Sequence, residues 1–345
     1  MYLSKGKHAF SATLLGLLGE PIEAKLCWAT PTQREKNIQS AVNVAKSVST
    51  PLVFAFANSP AQIGLTLDDD QDELIARIAA ANPNTIVVLN NAEPVLMPWL
   101  DSVAAVLEMG YAGQEGGFAT ADLLLGDRVP QGRLTVTYPV SRNQTLTRDP
   151  AHPERVDTAD GNATFSEGVN VGYRYYKHTN TPVLFPFGYG LSYTSFRYSG
   201  LKIDVTQQQP GRWHGSFSAR SHKPSHPSTE VSYPPSGPEA LFTVSFTLAN
   251  TGSVRGVEVP QIFIGPPQGC ENIYPGVQFA AIALVGWDNV EIEAGSRVRV
   301  SVGIPRRQLS FYDVESGEWV VARGERGVWV GGSVGDVRLR GEVRV

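Results

Sequence analysis

Cysteine is almost absent from this chain, which has only Cys27 and Cys270 among 345 residues. The two lie far apart and in unrelated sequence, so they predict neither a disulfide framework nor the paired spacing of a zinc site. The six histidines are scattered, apart from His222 and His226, where two nearby prolines exclude a helix that would bring both rings to one metal. We therefore expect no metal site.

The chain also lacks an excess of positive charge, and it lacks long apolar runs. Lys and Arg number 29 against 33 Asp and Glu, so the net charge is −4 and there is no basic field to attract nucleic acid. No apolar run is long enough to predict a membrane-spanning helix. We expect neither nucleic acid nor a membrane as a partner, and this charge suits a neutral substrate.

The signals for the cellular compartment are mixed. Lys5 and Lys7 precede the mildly apolar Ala9–Gly19, which has the shape of a weak signal peptide, but no small-x-small cleavage site follows. We interpret this stretch as a ragged start inside a domain. Two sequons, at Asn143 and Asn162, lie in polar, loop-like sequence where a glycan can sit. They predict a secreted, extracellular glycoprotein.

The first half of the chain alternates apolar strands with amphipathic helices, most densely in Asn82–Pro139. Strands that are apolar throughout and separated by helices form parallel sheets covered on both faces. We therefore predict an α/β sandwich, followed by an irregular connector, over residues 1–192. The predicted strands are Leu52–Ala57, Thr85–Leu89, Ala104–Glu108 and Leu134–Tyr138, and the predicted helices are Asn37–Val48, Asp70–Ala81, Pro98–Ser102 and Gly117–Leu125.

The second half changes to a period of two. Apolar residues alternate with polar ones along about seven short segments, which is typical of a β-sandwich. We predict this domain over residues 193–345, with strands around Phe242–Leu248, Val257–Ile264 and Val298–Ile304 among others. Residues 206–239 are rich in Pro, Ser, Gln and His, and this composition predicts a disordered insertion.

Three loops are candidates for a binding site, because ligands of open parallel sheets bind beyond the carboxyl ends of the strands. These loops are Asn58–Gly64, Asn90–Pro94 and Gly110–Gly117. The third places Gln114 and Glu115 among glycines that allow a sharp turn before a helix. The alternative is that these glycines serve only the turn and the packing of the helix.

In the same loop, Gly110, Gly113 and Gly116 have the spacing of the glycines in a dinucleotide-binding motif. Glu115 stands where a pyrophosphate would sit, and the loop follows the third strand rather than the first. Negative charge at that position disfavours a nucleotide, so we expect no cofactor.

The connector between the two domains carries aromatic and charged residues that suit the rim of a saccharide site. Glu167 lies in Phe165–Gly168, and Tyr173 and Arg174 lie in Gly172–Tyr176. Aromatic faces stack on sugar rings, while Arg and carboxylates hold hydroxyl groups. The alternative for these residues is packing between the domains.

Several runs resemble the C-terminal half of glycoside hydrolase family 3, especially the fungal β-glucosidases. They cover most of residues 40–345 in the family's order, which makes the match specific. The resemblance implies an αβα sandwich of the six-stranded type, a fibronectin type III-like domain, and extracellular breakdown of β-linked glucosides with retention of configuration. The runs are NPNTIVVLN, PVLMPWLDSVAAVLEMGYAGQEGG, ADLLLGDRVPQGRLTVTYP, SEGVNVGYRYYKHTNTPVLFPFGYGLSYTSFRYSGLKI, SFTLANTGSVRGVEVPQIFI and RRQLSFYDVESGEWVV.

Neither catalytic carboxylate of the family can be placed on a residue of this chain. The family's nucleophile is an Asp on an N-terminal barrel, and the resemblance begins after that barrel. Its acid/base Glu follows the strand that Leu52–Ala57 resembles, where the segment Asn58–Gly64 contains no acid. The resemblance leaves supporting roles to Gln114, Glu115 and the segment from Glu167 to Arg174, which would face the barrel or line the rim of its cleft.

Two functions are therefore expected from the sequence. The first is a β-glucosidase-type hydrolase represented by its C-terminal domains, inactive alone because a missing nucleophile removes the covalent route. Its substrate would be a β-glucoside or oligosaccharide, with a barrel domain as a partner. The second is a non-catalytic module that binds carbohydrate or another protein, for which the absent acids are no obstacle.

Overall fold

The computed structural model describes residues 30–57, 65–155, 162, 164–206, 230–233 and 240–345. Buried apolar residues form two main cores in this part of the chain. One includes Ile38, Ile75 and Leu89, and the other includes Phe246, Ile262 and Val330. The α/β and β-sandwich architectures predicted from the sequence are confirmed.

The first core is built on three parallel strands in the order β1–β2–β3. Helices α1 and α2 contribute Ile38, Val42 and Ile75 to it. Thr30 caps helix α1, and its hydroxyl accepts a hydrogen bond from the Gln33 backbone N–H at 3.1 Å. The elements are α1 Pro31–Ser47, β1 Leu52–Ala57, α2 Gln71–Ala81, β2 Ile86–Asn91, a 3₁₀ turn at Leu100–Ser102, β3 Ala105–Glu108 and α3 Gly116–Leu125.

Two of the predicted elements need correction. Helix α1 starts at Pro31 rather than Asn37, because Thr30 caps it and proline is favourable in the first turn. The strand predicted at Leu134–Tyr138 is wrong except for its last residue. The Leu134 backbone instead pairs with the turn at Gly188 and Tyr189, through N–H···O distances of 2.7 and 2.8 Å. Only β4, Tyr138–Pro139, is extended, and it pairs antiparallel with β5, Val183–Phe185.

The edge strand β1 is not covered on both faces as its apolar sequence predicts, although Val88, its neighbour on β2, is buried. In β1 the buried residues Val53, Ala55 and Ala57 alternate with three exposed ones: Leu52 is 45%, Phe54 is 51% and Phe56 is 44% exposed. Helices α1 and α2 pack on the buried side, and within the described residues no element covers the other face of this strand. An apolar sequence alone cannot distinguish a strand covered twice from one covered once.

A connector of short helical turns follows β4. It contains 3₁₀ turns at Arg142–Gln144, Leu146–Arg148 and Pro153–Arg155, then α4, Tyr173–His178, and β5. Tyr173 at the start of α4 stacks on Phe187, with ring centroids 4.6 Å apart, and meets Phe263 edge to face, in a third, smaller apolar cluster beside the second core. The connector therefore ties the two cores together.

The second core lies between two antiparallel-rich sheets. One has the order β11–β10–β16–β17 and the other β6–β8–β13–β7, with β7 pairing parallel to β13. The strand β7 lies inside the insertion expected at 206–239, and residues 207–229 and 234–239 are outside the described part. The elements are β6 Phe196–Val205, β7 Glu230–Tyr233, β8 Ala240–Asn250, β9 Gly256–Glu258, β10 Gln261–Ile264, α5 Cys270–Ile273, β11 Ala283–Trp287, β12 Val290–Ile292, β13 Arg297–Pro305, β14 Ser310–Asp313, β15 Glu318–Val321, β16 Glu325–Ser333 and β17 Asp336–Arg344.

Candidate functional site

The carboxyl ends of the parallel strands bring together two of the three loops nominated from the sequence. Asn90 and Asn91 end β2, and the loop Gly110–Gly117 follows β3. The third loop, Asn58–Gly64, lies outside the described residues. Gly110 and Gly113 have φ angles of +57° and +69°, a left-handed conformation that favours glycine, so both are required by the turn itself.

Glu108, the last residue of β3, fixes the start of this loop. Its Oε1 accepts a hydrogen bond from the Gly110 N–H at 2.9 Å, and its Oε2 accepts one from the Tyr138 hydroxyl at 3.1 Å. Asn91 adds a bond from its Nδ2 to the Tyr138 hydroxyl oxygen at 3.1 Å. Burial raises the pKa of Glu108, and burial together with the Glu108 charge raises the pKa of Tyr138.

Asn91 lies in the predicted loop Asn90–Pro94, but the sequence did not indicate its partners Glu108 and Tyr138 as site residues. The available signal was a carboxylate ending an otherwise apolar strand at the sheet edge where sites form. Both carboxylate oxygens of Glu108 accept hydrogen bonds, one from the loop and one from β4. Glu108 therefore holds the loop in position.

Gln114 and Glu115 are exposed at the tip of the loop. Neither side chain makes a hydrogen bond to any described residue. Glu115 immediately precedes α3, where its carbonyl accepts a hydrogen bond from the Ala119 N–H at 3.0 Å. Both side chains are therefore available to a group outside the described residues, as side chains at the rim of a binding cleft would be.

An open groove of about 560 Å³ runs between β1 and α3 beside this loop. Phe54 and Phe56 form one wall, and Tyr111, Thr120 and Leu124 are among the residues of the others. Tyr111 is 62% exposed, and Phe118 on the outer side of α3 is 76% exposed. The surface around the loop is therefore apolar and uncovered.

Glu167 is buried inside the connector. It is 6% exposed, and its Oε2 lies 3.6 Å from Nε of Arg155. Arg155 also lies 3.8 Å from Asp149, whose carboxylate accepts a hydrogen bond from the Tyr175 hydroxyl at 3.0 Å. Glu167 therefore balances the charge of a buried arginine.

Tyr173 and Arg174 line a second cavity of about 390 Å³, together with Val136, Tyr176 and Phe187. Besides its ring contacts, the Tyr173 hydroxyl accepts a hydrogen bond from the Leu284 N–H at 2.8 Å. The Arg174 guanidinium lies 5.9 Å from the centre of the Tyr173 ring. This cavity shares no residue with the groove beside Gln114 and Glu115, so the five predicted site residues do not converge on one cavity of the described chain.

The asparagines of the two sequons lie at the surface. Asn143 is exposed within the 3₁₀ turn that begins the connector, and Asn162 is exposed near its middle. In the described residues no group of three or more His, Cys, Asp or Glu side chains is arranged to hold a metal. None of the helices in the same part of the chain has both the length and the apolar character needed to cross a membrane.

Comparison with known protein families matches the two halves of the chain separately. Residues 7–193 match the model of the glycosyl hydrolase family 3 C-terminal domain, and residues 258–334 match that of the fibronectin type III-like domain. The first match extends over more than half of the 345 residues.

Related proteins and structures match nearly the whole chain. A probable β-glucosidase D of Aspergillus niger is 36% identical over 291 residues, which cover 81% of this chain and 34% of that protein. Thermostable β-glucosidase B of Acetivibrio thermocellus is 30% identical over 319 residues, which cover 90% and 37%. The structure of DesR, a β-glucosidase from Streptomyces venezuelae in complex with D-glucose, superposes with a TM-score of 0.76 at 36% identity and covers 92% of this chain and 36% of its own. The chain thus spans about a third of the length of these relatives.

Proposed function

The chain belongs to glycoside hydrolase family 3, and we propose that it serves as the α/β sandwich and fibronectin-like portion of a β-glucosidase, which hydrolyses terminal β-D-glucosyl residues of glucosides or oligosaccharides. The observation that carries this proposal is the uncovered surface around the loop Gly110–Gly117. Its apolar groove, together with Gln114 and Glu115, whose side chains have no hydrogen-bond partner among the described residues, is what a second domain and a sugar-binding cleft would require on this side.

The mechanism of hydrolysis with retention of configuration indicates that another part of the enzyme cleaves the glycosidic bond. Two carboxyl groups about 5–5.5 Å apart must flank the scissile bond, one as the nucleophile and one as the acid/base. Asn58–Gly64 contains no acid, Glu108 is engaged by Gly110 and Tyr138, and Glu167 lies beside a buried arginine. We propose that a barrel domain supplies the nucleophile, and that Gln114 and Glu115 border its cleft.

The chain alone should not hydrolyse an aryl β-glucoside, because the covalent route needs a nucleophile that its loops do not supply. Addition of the separately purified barrel portion of a related β-glucosidase should give slow turnover of an aryl glucoside whose leaving group departs without protonation, well below that of an intact enzyme, because no acid/base carboxyl is placed on this chain. The measurement is the release of the aryl group, with the barrel portion alone as the control. Turnover by the chain alone at the level of an intact family enzyme would refute the proposal, as would a complete failure of the mixture.

We further propose that the protein is secreted and carries glycans at Asn143 and Asn162. Expression in a eukaryotic secretory pathway should give a product whose mass falls on treatment with an N-glycosidase, because both side chains are exposed. Asn143→Gln and Asn162→Gln should each remove one glycan. Asn180→Gln, outside any sequon, is the control and should change nothing. A wild-type product whose mass is unaffected by the enzyme contradicts the proposal.

A further inference from the structure

The hairpin formed by β14 and β15 is firmly anchored on one face. Phe311 of β14 meets Tyr274 and Phe279 edge to face, with ring centroids 5.3 and 5.8 Å apart. Leu309, just before the hairpin, is 2% exposed, and Val321 at its end is 8% exposed. These contacts fix the position of the hairpin against the second core.

The opposite face of the hairpin presents two aromatic rings to solvent. Tyr312 and Trp319 stand directly opposite each other in the strand register and are 52% and 53% exposed. Their rings meet edge to face at a centroid distance of 5.7 Å and an angle of 69°. In this arrangement the edge of one ring lies against the face of the other, and about half of each side chain is open to solvent.

Both side chains also keep their polar groups available. Among the described residues nothing accepts a hydrogen bond from the Trp319 indole N–H or pairs with the Tyr312 hydroxyl. By contrast, the indole of the buried Trp99 donates to Asp72 at 2.7 Å, and the Tyr173 hydroxyl accepts from Leu284. An exposed pair therefore offers apolar ring faces beside two free hydrogen-bonding groups, at low cost in conformational entropy because Tyr and Trp have only two side-chain torsions.

This combination fits a pyranose ring, which has an apolar C–H face surrounded by hydroxyl groups. A flat, uncharged ligand of this kind stacks on the aromatic face and pairs its hydroxyls with the indole and phenol groups. We propose that Tyr312 and Trp319 form a binding platform for β-linked glucan chains. The choice of a β-glucan rests on the proposed function, whereas the platform itself rests on the geometry of the hairpin.

Calorimetric titration of the whole chain with cellohexaose tests the platform. Wild type should bind at millimolar or lower sugar concentration, and Tyr312→Ala with Trp319→Ala should weaken binding at least tenfold. Trp319→Phe, which keeps a stacking ring, should retain most of the affinity. Trp287→Ala is the matched control, since Trp287 on β11 is 52% exposed, and its affinity should stay within twofold of wild type.

A second measurement does not depend on how the alanine variant folds. In the wild-type chain, the indole N–H signal of Trp319 should shift on addition of cellohexaose in a ¹⁵N-correlated NMR spectrum, while that of Trp287 should not. Absence of heat and of any Trp319 shift at millimolar sugar would overturn the proposal. Equal losses of affinity in the double alanine variant and in Trp287→Ala would also overturn the proposal, because binding would then not depend specifically on the hairpin. Neither measurement depends on turnover. A failure of the mixing experiment with the barrel portion would therefore not affect them. Turnover of that mixture without sugar binding would refute the platform and leave the proposed function standing.

Discussion

Replacement of Glu258 by alanine is expected to lower the free energy of unfolding by about 3–5 kcal/mol. Glu258 at the end of β9 accepts hydrogen bonds at Oε1 from Arg133 at 3.2 Å and from the Val259 N–H at 3.0 Å. The side chains of Arg133 and Glu258 are only 8% and 10% exposed. Removing the carboxylate leaves a guanidinium buried without its counter-charge, and this is what makes the change so costly.

A second ion pair of the same chain provides the matched control. Arg255 and Glu291 approach to 2.9 Å, closer than Arg133 and Glu258, but their side chains are 52% and 56% exposed. Because solvent screens such a pair, Glu291→Ala should cost less than about 1 kcal/mol. Urea unfolding of both variants compares them directly. If Glu258→Ala costs no more than Glu291→Ala, burial is not what determines the strength of these pairs.

The double replacement Arg133→Met with Glu258→Leu separates the two contributions to this cost. If the loss comes from an uncompensated charge, the double variant should be more stable than Glu258→Ala, because no charge is left buried. Arg133 directly precedes Leu134, which packs against the first core, whereas Glu258 lies on β9 in the second half of the chain. The single variant should therefore also loosen the link between the two cores, seen as a broader or two-step unfolding transition.

The sequence predicts the elements of the first core well because its signals are local. β1 lies at the predicted residues, and α2 and α3 begin within one residue of the predicted start. Pairing partners are not local: whether Leu134 joins a strand depends on the turn at Gly188, more than fifty positions away in the chain. Strands β12 and β14 are not predicted because three or four residues carry too little alternation to be recognised. Strand β6 is long enough, but a register shift between Ser199 and Lys202 interrupts its alternation.

The candidate site was predictable only in part, for a related reason. The rule that loops at the carboxyl ends of parallel strands carry sites identified Gln114 and Glu115 from the pattern of strands alone. Glu167 and Arg174 were chosen by residue type, and residue type does not reveal that Arg155 lies beside one and a tyrosine ring beneath the other. Burial decides whether a carboxylate is a charge partner or a ligand group, and burial is set by residues distant in sequence.

The uncovered surface around β1 and α3 should make the chain alone associate at high concentration. Phe54 and Tyr111 line the groove and are 51% and 62% exposed, and Phe118 on the outer side of α3 is 76% exposed, so several large apolar side chains in this region face water. The strand edge adds to this tendency. β1 has no charged residue, and within the part of the chain that the structure describes Phe56 alone has its outward backbone groups capped, by Gln71 at 2.7 and 2.8 Å.

Substitution of both phenylalanines by lysine tests this directly. Wild type should elute as a mixture of oligomers whose mass, measured by light scattering, rises with concentration, whereas Phe54→Lys with Phe118→Lys should remain monomeric over the same range. Val314→Lys with Ile273→Lys is the control, because it adds the same charge at positions that are 84% and 52% exposed away from the groove. This control should associate like wild type, since charge alone is not the cause. A wild-type chain that stays monodisperse at high concentration shows that the apolar surface is too small or too divided to hold two molecules together.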